Sequence, residues 1–228
     1  KSSDEYQREL MALIARVSDT HANLWSSLKV RPPVGACVAS AAFRFIGDEV
    51  VVTALPAGED GAKASLQVGD VIQVLDGRPV SELIAEWRRY YAASNETVRR
   101  RDMARFLTRG DCVDVALGVR RRGAQLNVSV PRVPEKLLES LGAHDLAGPT
   151  FRKLSDEIAY LKLSSIKAAD AAGYIKAADG TKGLIIDIRN YPSEFVVFAL
   201  GSLLTSQPVE FARFTVADPA NPGSFHFT

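Results

Sequence analysis

The chain has 228 residues, of which 46% are hydrophobic, so it is long enough to bury a substantial core. Its 28 Lys and Arg residues balance 27 Asp and Glu residues, which argues against a general attraction to nucleic acid or to a membrane surface. No stretch approaches the roughly 20 apolar residues that a membrane span needs. Composition therefore indicates a globular protein of one or two domains, with no nucleic-acid partner and no membrane span.

The N-terminal part predicts a helical segment over residues 1–33. Apolar residues recur at helical spacing through residues 2–18, and Ser2 and Glu5 have the spacing of a capping box. The stretch "SDTHANLW" follows this helix.

Residues 34–133 predict a β-rich domain in which short strands alternate with Gly, Asp and Pro turns. One helical region, residues 80–109, interrupts the strands. Eleven arginines lie between residues 88 and 132, interspersed with acidic residues, a pattern typical of a solvated, salt-bridged surface. A patch that binds an anionic ligand is the alternative. The arginines are Arg88, Arg89, Arg99, Arg100, Arg101, Arg105, Arg109, Arg120, Arg121, Arg122 and Arg132.

Cysteine and histidine are too scarce to indicate a metal site or a disulfide framework. Cys37 and Cys112 are the only cysteines, and each lies in an apolar, β-like setting, so we expect two buried thiols. His144 and His226 fall in a linker and in the C-terminal tail. There is no phosphate-binding loop, dinucleotide fingerprint or His-Glu-x-x-His motif, so we expect no metal and no cofactor.

Residues 134–150 predict a linker, rich in proline and glycine, and residues 151–228 predict a further domain. That domain alternates "EIAYLKLSSI" (strand), "AADAAGYIKAADG" (helix), "TKGLIIDIR" (strand), "EFVVFALGSLL" (helix) and "VEFARFTV" (strand). Such alternation predicts a parallel sheet with crossover helices. A sheet of three parallel strands would be half covered, so we expect this domain to be incomplete. The predicted fold class is α+β multidomain.

The middle segment resembles a PDZ domain of the bacterial protease type, through "AKASLQVGDVIQVLDGRPV". Gly69 and Asp70 would form the turn into a strand, and Asp76 and Gly77 a hairpin turn. In such domains a peptide adds to a sheet edge beside a helix, and backbone N–H groups hold its C-terminal carboxylate. The resemblance implies a groove facing the helix that starts near Ser81, formed by Ala39, Ser40, Ala41, Ala42 and Phe43. A PDZ fold that serves only as a rigid spacer or lid is the alternative.

The segment after the linker resembles the catalytic domain of the S41 peptidases, the C-terminal processing and tricorn-like proteases. The strand "YLKLSSI", a helix, and "LIIDIRNYP" occur in the order of that family. The resemblance implies a ClpP/crotonase-like α/β fold with parallel strands, of which this chain would hold only a part. It also implies acyl-enzyme chemistry on a polypeptide substrate or C-terminal peptide.

The turn after the second strand is the expected oxyanion site of that resemblance. Asp187 and Arg189 would brace the turn by charge-assisted hydrogen bonds. Because Pro192 has no N–H, Ser193 or Glu194 would have to donate to the oxyanion. The family has glycines where this sequence has Ser193 and Glu194. The alternative is a strand-to-helix turn with a surface ion pair.

The stretch "SDTHANLW" resembles the element that precedes the PDZ domain in tricorn-like members. Carried over, His21 would be the general base and Thr20 its hydroxyl neighbour. Imidazole suits this role because its ordinary pKa, about 6.5, lets it accept a proton at neutral pH. A capping or packing role for His21 is the alternative.

The sequence therefore predicts a serine endopeptidase of the S41 type that cleaves unfolded or C-terminally recognised polypeptides. No serine after Ser193 lies in the setting of a nucleophile, so we expect this chain to be the front part of a longer enzyme and inactive by itself. Ser26-x-x-Lys29 and Ser164-x-x-Lys167 lack the companion motifs of penicillin-binding enzymes, so we interpret both as coincidences. The alternative function is a non-catalytic PDZ peptide-binding protein with a degenerate peptidase-like domain. Relatives of this kind are usually exported, so we expect export to the periplasm or the cell exterior. The sequence is also compatible with a homo-oligomer.

Overall fold

The computed structural model describes residues 2–57, 65–142, 145–210 and 212–227. The chain divides into two compact units, Lys1–Ala143 and His144–Thr228. The division into segments 1–33, 34–133, 134–150 and 151–228 stays a prediction. Residues 62–64, which begin the stretch compared with PDZ domains, and His144 of the linker lie outside the described residues.

The first helix, α1, spans Ser3–Ala15 and begins with the predicted capping box. The Ser2 hydroxyl accepts a hydrogen bond from the Glu5 N–H at 3.2 Å, and the Glu5 carboxylate accepts one from the Ser2 N–H at 2.7 Å. This reciprocal pair satisfies two N–H groups that the helix itself cannot bond. A 3₁₀ helix, Trp25–Val30, follows.

The β-rich segment forms antiparallel sheets, as its pattern predicted. Its strands are β1 Cys37–Ala39, β2 Ala42–Ile46, β3 Glu49–Ala54, β4 Val71–Leu75, β5 Arg78–Pro79, β6 Val115–Arg121, β7 Ala124–Val130 and β8 Arg132–Pro134. Among these described strands, the main sheet has the order β2-β3-β4-β6-β7, with β5 paired to β4. Strands β1 and β8 pair in a separate ribbon.

The core of this unit lies on one face of the main sheet. Val50 and Val52 of β3 and Leu117 and Val119 of β6 are buried at alternate positions, as the period of two residues requires. The predicted hairpin turn between β4 and β5 is also confirmed: Asp76 has φ +46° and Gly77 φ +80°. Both values lie in the left-handed region that a two-residue hairpin turn of this kind needs.

The predicted helical region 80–109 is broken into three pieces. Helix α2 spans Val80–Trp87, a 3₁₀ turn spans Arg88–Tyr90, and α3 spans Glu96–Phe106. Asn95 begins α3 because its side chain accepts a hydrogen bond from the Val98 N–H at 2.9 Å. Apolar residues at helical spacing occur on both sides of the break, which is why the sequence indicated one region.

The prediction of two free thiols was wrong, since Cys37 and Cys112 form a disulfide. Antiparallel hydrogen bonds between Cys37 and Gly110, at 3.1 and 2.9 Å, bring the two segments together. The Cα atoms of the two cysteines are 5.1 Å apart, within the range that a disulfide spans. Neither local setting indicated this pairing, because 75 residues separate the cysteines in sequence.

The second unit contains a three-stranded sheet built from β9, Phe151–Lys153, β10, Ile158–Lys162, and β11, Gly183–Asp187. Its order is β11-β10-β9 among the described strands. Strands β10 and β11 are parallel, and β9 is antiparallel to β10. Helices α4, Ala171–Ala177, and α5, Val197–Leu204, supply side chains to one core. That core includes Leu161, Leu163, Ile166, Ala171, Val196 and Leu200.

The third parallel strand, predicted over residues 209–216, is not present in the described residues. Instead, Thr215–Ala217, β12, pairs antiparallel with Phe225–Phe227, β13, in a ribbon of its own. The residues of both strands are exposed, so the apolar residues in this part of the sequence do not mark a buried strand. Among the described helices, none combines the length and apolar character needed to cross a membrane.

Candidate functional site

The carboxyl ends of β10 and β11 carry a buried carboxylate, Asp187, which accepts hydrogen bonds from Arg189 and Tyr160. Lys162 and Asp187 are paired in the parallel register, so both strands end at the same edge. The Arg189 guanidinium donates two hydrogen bonds to the Asp187 carboxylate, at 2.9 and 2.6 Å. The Tyr160 hydroxyl donates another at 2.7 Å and accepts one from the Leu146 N–H at 3.0 Å.

These contacts determine the charge state of the site. The two hydrogen bonds from Arg189, and then the one from Tyr160, hold the pKa of Asp187 far below its ordinary value. Burial, followed by the hydrogen bond to Asp187, raises the pKa of Tyr160. Asp187 is therefore a carboxylate and Tyr160 a neutral donor at neutral pH. The predicted ion pair is present, whereas its role in bracing a catalytic turn stays a prediction.

The Ser193-Glu194 segment is bonded to the loop that follows β10. The Ser193 N–H donates to the Leu163 carbonyl at 2.9 Å, and its hydroxyl donates to the Ile166 carbonyl at 2.6 Å. The Glu194 carboxylate accepts from the Ala168 N–H at 2.7 Å. In this conformation the Ser193 N–H is not available to an oxyanion, which leaves Glu194 as the donor of the predicted pair.

Helix α5 begins at Val197, later than the sequence indicated. The turn residues Ser193 and Glu194 therefore precede the helix and do not form its first turn. The Ser193 and Glu194 side chains tie two loops together through these hydrogen bonds. Glycine could not make either side-chain contact.

We expect Ser193→Ala to loosen this loop connection by about 1 kcal/mol, the usual net value of one hydrogen bond. Hydrogen exchange of residues 163–170 should then become about fivefold faster. Ser202→Ala is the control, because Ser202 bonds only within α5, to the Ala199 carbonyl at 3.2 Å. Unchanged exchange in residues 163–170 of the Ser193 variant would contradict the assigned contact.

A second polar cluster beside the strand ends was not predicted. The Ser164 hydroxyl donates to the Asp145 carboxylate, and this bond, with a further one from Asn190, lowers the pKa of Asp145. The Lys162 ammonium donates to the Leu146 carbonyl at 3.2 Å. Sequence analysis named Ser164 only within a Ser-x-x-Lys coincidence, and nothing in the local pattern pairs it with Asp145.

An open pocket of about 430 Å³ adjoins Asp187 and Arg189. Its other walls are mostly apolar side chains of the second unit, including Ile185 and Ile188. Ile188, Tyr191 and Phe195, which lie along the turn, are well exposed. The edge of the sheet therefore offers apolar surface beside a fixed charge pair.

His21 and Thr20 lie in the first unit. The His21 side chain is 93% exposed, and its Nδ1 is 3.7 Å from the Asp19 carboxylate. The Thr20 hydroxyl is 3.1 Å from the Ser94 hydroxyl and accepts a hydrogen bond from the Ser94 N–H, also at 3.1 Å. Thr20 thus anchors the loop to the segment before α3, while the imidazole is accessible.

Most backbone N–H groups of the predicted peptide groove already donate hydrogen bonds within the protein. The N–H groups of Ala39, Ser40 and Ala41 donate to the Thr108 hydroxyl at 3.0 Å, the Pro131 carbonyl at 3.0 Å and the Ala39 carbonyl at 2.7 Å, respectively. Ala42 and Phe43 belong to β2, which is the end strand of the described sheet. One edge of β2 is therefore unpaired among the described strands.

The helix beside β2 is α3, which corrects the expectation that the helix starting near Ser81 faces this edge. Helix α2 packs instead on β4. The 3₁₀ helix Glu135–Gly142 also contacts β2, and the Glu135 carboxylate accepts hydrogen bonds from Arg105 at 3.1 Å and Arg109 at 3.2 Å. The 3₁₀ helix therefore also lies beside β2.

No cluster of three or more His, Cys, Asp and Glu side chains suited to a metal ion occurs in residues 2–57, 65–142, 145–210 and 212–227. The chemistry available at the described sites is that of side-chain carboxylates, hydroxyls, imidazole and guanidinium groups.

No protein-family model matches the chain, and no curated protein matches it. Among solved structures, a CPAF mutant matches with a TM-score of 0.51 at 15% identity, over 82% of this chain and 46% of that one. A photosystem II D1 C-terminal processing protease matches at 0.30 and 14%, over 82% and 61%. A PDZ domain protein from Parabacteroides distasonis matches at 0.31 and 14%, over 84% and 48%.

The chain spans less than half the length of the CPAF structure. The two matches with TM-scores near 0.3 are too weak to support a conclusion about this chain. The CPAF match, at 15% identity, supports a conclusion about the fold but not about the function. The CPAF match therefore supports a fold similar to that structure over most of this chain.

Proposed function

We propose that this chain is part of an S41-type serine peptidase that cleaves unfolded or C-terminally recognised polypeptides through an acyl-enzyme. The observation that carries the proposal is the parallel pair β10–β11, which ends in the buried Asp187 carboxylate, paired with Arg189, and leads into a turn. A ClpP/crotonase-like sheet has such a strand pair beside its oxyanion site. The exposed apolar residues along the turn are suited to contact an extended polypeptide.

In this proposal His21 is the general base, because its imidazole is accessible and the Asp19 carboxylate lies near its Nδ1. Thr20 supports the loop through Ser94. The Glu194 N–H donates to the oxyanion, since the Ser193 N–H is bonded to Leu163. In this proposal the nucleophile is a serine outside the residues that the structure describes.

The test uses the protein encoded by the complete natural reading frame. This protein is assayed for hydrolysis of unfolded casein and for labelling by a fluorophosphonate. His21→Ala should lower turnover by about three orders of magnitude or more. His226→Ala, which removes an exposed histidine of β13, is the matched control and should keep activity. A loss below about tenfold for His21→Ala rejects the base assignment. A reading frame without a further serine in a strand-to-helix turn rejects the enzyme.

The second candidate is a non-catalytic protein that binds polypeptide C-termini, and one observation favours it. Ser193 and Glu194 form internal contacts where a working oxyanion site would have open glycine amides. The same full-length protein separates the two functions. Absence of hydrolysis, with peptide binding that amidation of the C-terminus weakens, supports the binding protein. Equal affinity for free and amidated peptides argues against carboxylate capture.

Export to an oxidising compartment is a further part of the proposal. The Cys37–Cys112 disulfide supports it, since disulfides persist mainly outside the reducing cytosol. Whether the protein forms a homo-oligomer is open to direct measurement of its mass in solution.

A further inference from the structure

The first unit carries a pocket of about 560 Å³ that the proposed function does not use. It is lined by one side of α1, by the 3₁₀ turn Arg88–Tyr90 and by the start of α3. Its charged lining residues are Glu9, Arg16, Arg88, Arg89 and Arg99. The remaining walls include Ala12, Leu13 and Tyr91, so the pocket combines guanidinium groups with apolar surface.

The four arginines outnumber the carboxylates that contact them. Glu9 accepts a hydrogen bond from Arg89 at 3.1 Å. Glu96 accepts from Arg88 at 2.9 Å and from Arg99 at 2.5 Å. Two carboxylates thus serve three arginines, and the pocket keeps an excess of positive charge.

Arg16 is the remaining cation. Across the part of the chain that the structure describes, its guanidinium has no hydrogen-bond or ion-pair partner. By contrast, Arg99 is held in place: its side chain is only 17% exposed, and its Nε donates to the Tyr91 carbonyl at 3.2 Å. A guanidinium that is held in place and one that is unpaired within the described residues therefore line the same pocket. The fixed position of Arg99 lowers the entropic cost of binding an anion there, and Arg16 offers charge-assisted hydrogen bonds that no described residue uses.

We propose that this arginine pocket binds an acidic segment of a polypeptide. Carboxylate side chains match the planar fork of the arginine guanidinium, and the apolar walls accommodate neighbouring side chains. A single concave pocket does not offer the extended basic track that a nucleic acid requires. The inference is independent of the catalytic proposal, because it needs neither His21 nor the turn after β11.

The experiment measures fluorescence anisotropy of a short, end-capped oligoglutamate peptide mixed with the complete chain. An oligoglutamine peptide of equal length and a single-stranded oligonucleotide of equal charge serve as comparison ligands. We expect binding of oligoglutamate, weakening at high salt, and little binding of oligoglutamine. Arg16→Gln should weaken oligoglutamate binding about tenfold, since it removes one charge-assisted contact.

Arg16 is exposed and unpaired within the described residues, so its replacement leaves the fold intact, which an unchanged melting temperature verifies. Arg78→Gln is the matched control, because Arg78 pairs with Glu86 outside the pocket and its loss should not change binding. Wild-type affinity in the Arg16 variant overturns the proposal, as does equal binding of oligoglutamine. Tighter binding of the oligonucleotide overturns it in favour of a nucleic-acid site. None of these outcomes depends on peptidase activity.

Discussion

Replacing Cys37 and Cys112 together by serine should lower the free energy of unfolding of the first unit by about 4 kcal/mol. The disulfide closes a segment with a sequence separation of 75 residues, so the intact crosslink strongly restricts the unfolded chain. The loss is a large fraction of the stability of an ordinary domain, which is about 5–15 kcal/mol. The variant should therefore unfold at a much lower urea concentration than the wild type.

Tryptophan fluorescence is the suitable measurement, because both tryptophans, Trp25 and Trp87, belong to the first unit. Reducing the wild type with dithiothreitol should reproduce the loss, and the serine variant should not respond to the reductant. A difference in unfolding free energy below about 1 kcal/mol, with no response of the wild type to reductant, would contradict the structural role of the disulfide.

Asp187→Asn should lower the melting temperature of the second unit by about 5 °C or more. An amide keeps only one acceptor oxygen. With that oxygen in the place of Oδ2 it still accepts from Tyr160 and from one Arg189 N–H group, but its NH₂ group then faces the Nε–H and the backbone N–H of Arg189, which lose their acceptor. The Arg189 guanidinium, which is itself exposed, loses its counter-charge as well. The matched control is Glu210→Gln, which removes the carboxylate of the exposed Glu210–Arg213 pair and should have little effect.

The same contacts predict how stability depends on pH. The pKa of Asp187 is lowered on folding, so its contribution is fully present above the ordinary aspartate pKa of about 4. It is lost as the pH falls below that value and the carboxylate is protonated. Hydrogen exchange of residues 158–187, measured between neutral and acidic pH, should show this loss in the wild type and a flatter profile in Asp187→Asn. Parallel profiles for both proteins would reject the assignment.

Much of the candidate site in the second unit could be predicted from the sequence because it depends on residues that are close together along the chain. Asp187 and Arg189 are two residues apart at the end of an apolar strand, so their pairing required no knowledge of the rest of the fold. Tyr160 was missed because it reads as one more apolar residue of β10. Only the parallel register, which brings β10 beside β11, reveals that its hydroxyl reaches Asp187.

The expected peptide groove, by contrast, could not be predicted from local sequence patterns. The β pattern identified β2 correctly, yet the helix beside it is α3 and the segment Glu135–Gly142 also contacts it. Helical spacing reports which side of a helix is apolar but not which strand that side covers. The third predicted strand differs for a related reason: the end of the stretch 209–216 pairs antiparallel with Phe225–Phe227 in a separate ribbon and does not join the parallel sheet, and strand propensity does not specify the pairing partner.

By itself, the sequence determined the features that depend on neighbouring residues: the capping box of α1, the hairpin turn at Asp76 and Gly77, strands β10 and β11, and the Asp187–Arg189 pair. Only the tertiary structure decided the Cys37–Cys112 disulfide, the use of the Ser193 N–H and the meeting of α1, Arg88–Tyr90 and α3 in the arginine pocket. These contacts join residues that are far apart along the chain. Their partners are selected by the packing of whole elements, which spacing within one element does not encode.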